Sequence, residues 1–173
     1  MSYNFKILSI IFLCLTILSC KESEIKPLTE HYQKEGVEFN YNSDWVLEES
    51  GSNNISFLLF KKVNDDDFRA NINLLVVQKE PSIDFEKHIS SNKNYLLLEK
   101  TKNLEEKIVS INGNKAYRIV TEKNFEGNDY TLLQYSLLIR NKAYTITFTS
   151  KSKYYKQNIK EVDEIINTFK FES

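Results

Sequence analysis

The amino-acid sequence predicts an α+β fold, an α/β/α sandwich in which a central antiparallel sheet of about seven strands lies between two main helices. Three observations lead to this fold class. Residues 107–150 contain four consecutive strand patterns, residues 152–168 carry a helical apolar stripe, and one of the four strands is apolar on both faces. A strand of that kind is buried on both sides, so we expect a helix layer on each side of the sheet.

Three strands are predicted before the first helix. Residues 37–41 and 69–78 alternate apolar and polar side chains, which is the period of a half-buried strand. Residues 54–62 form the strand between them. The tripeptide at 42–44 is Asn-Ser-Asp, which favours a turn immediately before Trp45.

Apolar residues recur at the spacing of a helix in two segments. Residues 82–98 place Phe85, Ile89 and Leu96 on one stripe, and Ser82 is the expected N-cap. Residues 152–168 form the second helix, for which Ser152 is the expected N-cap. Its apolar stripe consists of Tyr155, Ile159, Val162, Ile166 and Phe169.

The four-strand segment between the helices reads as an antiparallel meander. Asn112 and Gly113 form the Asn-Gly dipeptide of a tight hairpin, and Gly127 marks the second turn. The strand at 130–140 is apolar on both faces and is therefore expected at the centre of the sheet. In the last strand the threonines form one stripe, composed of Thr145, Thr147 and Thr149.

Composition limits the class of protein. The chain has 173 residues, of which 41% are apolar and 27% charged, and this suits one globular domain with a proper core. The formal net charge is −1, and the basic residues are mixed with acidic ones. This pattern indicates no patch of basic residues that could bind nucleic acid, so we predict no nucleic-acid partner.

The amino terminus reads as an export signal. Residues 7–18 form an apolar run that is shorter than the roughly 20 residues a membrane-spanning helix needs. The run ends in Ile-Leu-Ser-Cys at 17–20, which resembles the lipobox of bacterial lipoproteins. The alternative is an ordinary signal peptide with Cys20 incidental. Because Cys14 lies within the removed segment, Cys20 is the only thiol of the mature chain and has no disulfide partner, which favours lipidation.

These features predict the domain organisation. Residues 1–19 are a lipoprotein signal peptide, residues 20–34 are an acylated cysteine followed by a flexible tether with a reach of roughly 20 Å, and residues 35–173 are the folded domain. The expected location is the bacterial cell envelope, with the protein lipid-anchored at the periplasmic face or the surface of the outer membrane. Attachment of more than one acyl chain gives stable anchoring.

No constellation of catalytic residues is visible. His88 on the first helix could act as a base with Asp84 or Glu86, although most helix histidines are solvated. Three consecutive acids at 65–67 could attract Ca²⁺, but neighbouring residues in one loop do not converge enough oxygens on one point. His31 lies in the predicted tether, far from His88 in sequence. We therefore predict no catalytic residue, no metal and no cofactor.

Several segments together resemble the PsbP-like superfamily, which includes a photosystem II extrinsic subunit and DcrB-like bacterial lipoproteins. They are the strand and turn before Trp45, the hairpin at 111–117, the strand at 142–147 and the end of the chain at 165–171. The resemblance covers about residues 36–171, and its motifs are structural. It implies an α/β/α sandwich and a non-enzymatic binding or scaffolding role.

Two functions remain open from the sequence. The first is a lipid-anchored envelope lipoprotein that binds a protein or an amphiphilic partner and is not an enzyme. The second is a small envelope hydrolase that uses His88 with a nearby carboxylate. The sequence does not identify the residues that would bind a partner.

Overall fold

The computed structural model of the protein describes residues 25–49, 55–63 and 67–172. Cys20, the predicted signal peptide and two of the three acids at 65–67 lie outside these residues, so the predictions of cleavage and acylation stay predictions. In the part of the chain that is described, no helix has the length and hydropathy needed to cross a membrane.

The described residues form ten strands and two α-helices, with a short 3-10 turn before the second helix. In chain order they are β1 Glu30–Lys34, β2 Val37–Tyr41, β3 Trp45–Glu48, β4 Ile55–Lys61, β5 Asn71–Gln78, α1 Phe85–Leu98, β6 Lys102–Ile111, β7 Asn114–Phe125, β8 Asn128–Ile139, β9 Lys142–Lys151, α2 Tyr155–Asn167 and β10 Lys170–Phe171.

Seven strands form the main sheet in the order β3-β4-β5-β9-β8-β7-β6, and every neighbouring pair is antiparallel. A smaller sheet has the order β1-β2-β10. The predicted α+β sandwich with an antiparallel sheet of about seven strands and two helices is confirmed. Strand β8 is an interior strand, as its two apolar faces require, although β9 occupies the middle position.

Helix α2 covers one face of the main sheet, here called the α2 face. The predicted stripe is correct, and the helix buries Val162, Ile165 and Ile166 completely. They pack in one cluster with side chains of the interior strands, such as Leu133 on β8 and Ile146 on β9. Burying each of these side chains stabilises the fold by about 1.5–3 kcal/mol relative to leaving it exposed.

Helix α1 covers part of the opposite face, here called the α1 face. Ile89 and Leu96 pack against Tyr117 and Ile119 of β7 in a second, smaller cluster. Tyr117 and Ile119 alternate along β7 with residues of the α2 cluster, as the two-residue period of a strand requires. The two helices therefore lie on opposite sides of one sheet.

The predicted flexible tether is wrong in its last part, because residues 30–34 form β1. Tyr32 is buried, and the centroid of its ring lies 5.1 Å from that of Phe39 and 5.2 Å from that of Phe57. Phe39 in turn stacks on Phe169 at 4.5 Å. One aromatic residue among polar ones is enough to fix the strand, since its ring enters an existing aromatic cluster.

Both predicted N-caps are also wrong. The side chain of Asp84, two residues after Ser82, accepts a hydrogen bond of 2.8 Å from the backbone N–H of Lys87 and so caps α1. Ser152 lies in the 3-10 turn, and its Oγ accepts a hydrogen bond from the Thr131 hydroxyl. Helix α2 begins at Tyr155 with no side-chain cap.

Candidate functional site

A narrow groove lies between the carboxyl-terminal half of α1 and strands β6 and β7. Its volume is about 200 Å³. Leu96 and Ile119 provide the apolar floor, and Thr101, Asn103 and Thr121 provide polar walls. Lys93 and Glu106 complete the lining of the groove.

A part-buried hydrogen bond joins the middle of α1 to the sheet. Asn92 Nδ2 donates a hydrogen bond of 2.7 Å to Ser136 Oγ on β8. Asn92 lies one turn from Ile89 and one turn from Leu96, so this contact fixes the rotation of the same stripe that forms the groove floor. The position of α1 relative to β6 and β7 therefore follows from the sequence pattern of the helix.

An ion pair forms the rim of the groove. Lys93 Nζ on α1 lies 2.9 Å from Glu106 Oε2 on β6, and it lies 5.1 Å from the centroid of the Tyr117 ring. The Tyr117 hydroxyl also donates a hydrogen bond to Glu106. Hydrogen bonds from Tyr117 and then from Lys93 hold the pKa of Glu106 below its usual value, so the rim carboxylate is ionised at neutral pH.

Thr121 is the unusual residue of the groove wall. It is 1% exposed, and its Oγ1 has no hydrogen-bond partner within the described residues. A buried hydroxyl without a partner costs about 1–3 kcal/mol. Thr121 therefore lines the groove and also buries a hydroxyl that the described part of the protein does not satisfy.

A second polar cluster lies on the α2 face, around the Tyr135 hydroxyl. Tyr135 Oη accepts a hydrogen bond of 3.1 Å from Arg118 Nε and lies 3.1 Å from Asp163 Oδ1 on α2. Arg118 Nη1 also lies 3.0 Å from Glu105 Oε1. Burial raises the pKa of both Tyr135 and Asp163. We interpret this cluster as a structural link between α2 and β7.

A larger but more open hollow of about 420 Å³ lies on the small sheet. It is bordered by polar and charged side chains, and two of them, Glu38 and Lys170, form an ion pair of 2.6 Å. The backbone N–H of Glu172 donates to the carbonyl of Gly36 across this hollow. No buried polar side chain of this hollow lacks a partner in the part of the chain described, so the groove is the better candidate.

A family model described as PsbP-like protein matches residues 16–171, almost the whole chain. The chain belongs to the PsbP-like family. No curated relative matches the sequence.

Solved structures share this PsbP-like fold at low sequence identity. The cyanobacterial PsbP (CyanoP) of Synechocystis sp. PCC 6803 aligns with a TM-score of 0.65 and 11% identity over 82% of this chain and 91% of its own. LpqN of Mycobacterium tuberculosis, described as involved in cell envelope biogenesis, aligns with a TM-score of 0.66 and 12% identity, covering 79% of this chain and 83% of its own. A Bacteroides thetaiotaomicron protein aligns with a TM-score of 0.61 and 19% identity over 85% of this chain and 50% of its own.

In this PsbP-like chain, His88 is not a solvated helix residue. It is 2% exposed, and neither ring nitrogen has a hydrogen-bond partner among the described residues. Burial, and to a lesser extent the charge of Lys79, lowers its pKa. Asp84 caps α1 and Glu86 forms an ion pair of 2.9 Å with Lys115, so neither carboxylate is hydrogen-bonded to the imidazole. The pair proposed for the hydrolase is not brought together.

The other residues considered in the sequence lie apart from the groove. His31 is on β1, where its Nδ1 lies 2.8 Å from Asn40 Oδ1. Asp67, the one described member of the acidic loop, forms an ion pair with Lys151. Within the described residues no group of three or more His, Cys, Asp and Glu side chains could hold a metal ion. The threonine stripe of β9 lies on the α1 face, where Thr147 accepts a hydrogen bond of 3.3 Å from Gln134.

Sequence reasoning missed the groove residues. Lys93, Glu106 and Thr121 carry no motif, and each is an ordinary polar residue of a helix or strand. One signal was available, since Thr121 follows Ile119 in a strand whose apolar period continues on both faces. A threonine at such a position is expected to be buried.

Proposed function

We propose that the protein is a lipid-anchored binding lipoprotein of the bacterial cell envelope, that Cys20 is its acylated amino terminus, and that it acts by docking a partner rather than by catalysis. The observation that carries the binding role is the groove beside β6, with its apolar floor and its charged rim.

The state of the ionisable groups supports binding over catalysis. A general base needs a pKa near the working pH and a hydrogen-bonding position facing the substrate. The Glu106 carboxylate is already bonded to Lys93 and Tyr117, and its pKa is lowered. The His88 imidazole is buried away from solvent. These groups suit recognition, in which fixed charges orient a partner.

The position at which the amino-terminal segment joins the domain favours an orientation in which the groove faces away from the membrane. Lys26 Nζ lies 2.6 Å from Asp44 Oδ1, immediately before β3, which is one edge strand of the main sheet. The groove lies beside β6, the other edge strand, six strand spacings or about 29 Å away. Cys20 precedes Lys26 by six residues, which span at most about 21 Å when extended. An anchor on Cys20 would therefore hold the β3 edge near the bilayer.

The envelope location has further support in a structural neighbour, since LpqN is described as involved in cell envelope biogenesis. For the present chain, the location rests on the export signal and on the lipobox resemblance at residues 17–20. Anchoring at a membrane raises the effective concentration toward other membrane components, so a modest affinity of the groove for its partner suffices.

Metabolic labelling with a fatty acid tests the anchor. We expect label in the wild-type chain, loss of label in Cys20→Ala, and retention in the matched control Cys14→Ala, because Cys14 lies in the removed segment. Label that persists in Cys20→Ala, or a mature chain that starts at another residue, would contradict the proposal.

Photocrosslinking in native membranes tests the docking role. A photoreactive residue at Asn103, in the groove wall, is expected to give a discrete adduct, whereas one at Val63, which is 71% exposed and far from β6 in sequence, is not. The Cys20→Ala chain should lose function in cells while its domain still binds the partner. Turnover of a substrate by the purified chain, abolished by His88→Ala, would refute the binding role and favour the hydrolase.

A further inference from the structure

The interior of the groove beside β6 is mainly apolar. Its floor consists of Leu96 on α1 and Ile119 on β7, which pack in the small cluster under the helix. The ion pair of Lys93 with Glu106 forms the rim above this floor. A polar rim around an apolar floor suits a ligand that has an alkyl chain and a polar head.

The volume of the groove limits the ligand to one alkyl chain. At about 200 Å³ it is smaller than the roughly 300–1,000 Å³ of a pocket that encloses a drug-sized molecule. A water molecule takes roughly 30 Å³ in the liquid, so the groove has room for about seven groups of that size. This is enough for a segment of a single chain of methylene groups, and it is too little for the paired chains of a diacyl lipid.

Two lysines next to the groove have no ion-pair partner in the described part of the chain. Lys100 and Lys102 are exposed, and they flank Thr101, which lines the groove. Glu122 is the cross-strand neighbour of Lys102, but no ion pair joins them. The two ammonium groups are therefore available to an anionic group outside the protein.

The other glutamates near the groove are engaged by other lysines. Glu99 pairs with Lys123 at 2.5 Å, and Glu106 pairs with Lys93 at 2.9 Å. Counted with the two unpaired lysines and their neighbour on β7, there are four lysines and three glutamates, which leaves one net positive charge. Charge complementarity therefore favours an anionic head over a cationic one.

We propose that the groove binds the alkyl chain of a single-chain anionic amphiphile of the fatty-acid class, with the carboxylate held near Lys100 and Lys102. This inference rests on the proposed binding function and names its ligand class. The chain supplies most of the affinity, because each buried methylene raises it about fourfold. The lysines orient the head, since charges exposed to water interact over roughly 8–10 Å at physiological salt.

Photolabelling of the full-length protein in isolated native membranes tests the proposal. The probe is a twelve-carbon fatty acid with a diazirine in the middle of its chain. The comparison probe is the corresponding alcohol, which has the same chain without the charge. We expect the fatty acid to label residues that line the groove, as located by mass spectrometry of peptides from α1, β6 and β7. The alcohol should label the same residues more weakly.

One substitution tests the position of the alkyl chain. Asn103→Trp places an indole in the groove wall and should lower the yield of fatty-acid adduct by about tenfold or more, because the loss of two buried methylenes is already worth that factor. Ser110→Trp, at an exposed residue near the other end of β6, is the matched control and should leave the yield unchanged.

A second substitution tests the position of the head, and it changes only exposed side chains. Lys100→Gln combined with Lys102→Gln should lower labelling by the fatty acid about twofold to fivefold, the size expected of an exposed ion pair. Labelling by the alcohol should stay the same. Lys142→Gln, at the exposed start of β9, is the control for charge and should change neither.

Four results would overturn the proposal. They are adducts that lie outside the groove, equal yields from Asn103→Trp and Ser110→Trp, labelling by the alcohol as strong as by the fatty acid, and no effect of the paired lysine substitutions. Photocrosslinking from Asn103 separates this failure from failure of the proposed function. A protein adduct from Asn103 without fatty-acid labelling keeps the docking role and makes a polypeptide the partner, whereas no adduct of either kind contradicts the docking role itself.

Discussion

Replacing His88 by Leu should stabilise this protein, although core substitutions usually destabilise. His88 is a residue of α1, with 2% of its surface exposed and with both ring nitrogens unpartnered in the described part of the chain. An unsatisfied buried polar group costs about 1–3 kcal/mol. Leu has a similar volume and no polar atom, and such swaps cost less than about 1.5 kcal/mol in repacking. We expect a net gain of about 1–2 kcal/mol at pH 8.

The gain should increase as the pH falls. Burial lowers the pKa of folded His88 below its ordinary value, and the nearby Lys79 adds to this effect. Below about pH 6.5 the unfolded chain therefore binds more protons at this residue than the folded chain does. The free energy of unfolding of the wild type falls as the pH falls toward the lowered pKa of folded His88. One proton of difference corresponds to at most about 1.4 kcal/mol per pH unit. The His88→Leu variant lacks this loss.

Urea unfolding at pH 8, 6.5 and 5 measures the gain in the free energy of unfolding and its dependence on pH, and thermal unfolding gives a second measure of the gain. For a chain of this size, a gain of about 1–2 kcal/mol raises the melting temperature by about 2–8 °C. The same substitution at His31, an exposed residue bonded to Asn40, serves as the control and should not stabilise. A loss of stability in His88→Leu at pH 8 would show that the imidazole makes bonds in the fold. Parallel pH profiles of the wild type and the variant would show that His88 does not titrate differently on unfolding.

Three further predictions concern the fold and its ions. Ile166→Asp places a charge without a partner in the core and should cost about 4 kcal/mol or more, and a near wild-type melting temperature would contradict the burial of this residue. Asp84→Ala removes the N-cap of α1 and should cost about 1 kcal/mol in urea unfolding, and unchanged stability would mean that the cap contributes nothing. Elemental analysis of protein purified without added metal should find no stoichiometric ion, and finding one would contradict the prediction that the acids at 65–67 hold no metal.

The elements that the sequence predicts well are those with a clear period and a clear turn. In α2, the stripe that includes Val162 and Ile166 repeats at helical spacing because one side of the helix faces a wide apolar sheet. The hairpin between β6 and β7 is predicted because Asn112 and Gly113 adopt positive φ values of 44° and 83°. In both cases a local pattern and the tertiary packing require the same structure.

The elements that were missed have one buried residue or none. Tyr32 is the one buried side chain of β1, so four of its five residues give no strand signal. The first part of β6 is exposed on both faces because it is an edge strand, and its residues 102–106 lack any apolar alternation. Apolar and polar residues alternate along a strand because one face of it is buried. A strand with few buried side chains therefore shows no such alternation. Its position is decided by the backbone pairing with β7.

The same reasoning explains why the candidate site was harder to predict than the fold. A binding surface on an edge strand must remain open, and so the residues that form it escape the alternation that identifies strands. Thr121 and His88 show a second reason why the site was hard to predict. Their polar atoms are buried without partners among the residues described. Sequence patterns place polar residues at exposed or hydrogen-bonded positions, so they do not predict a buried Thr121 or His88 without a partner. Exceptions of this kind are expected at functional or strained positions. Thr121 lies on β7, next to the edge strand β6, and His88 lies in the first half of α1. Tyr32 of β1 and Ser150 of β9 bury an unpartnered hydroxyl in the same way, so these exceptions occur in several parts of the described fold and no local sequence pattern marks any of them.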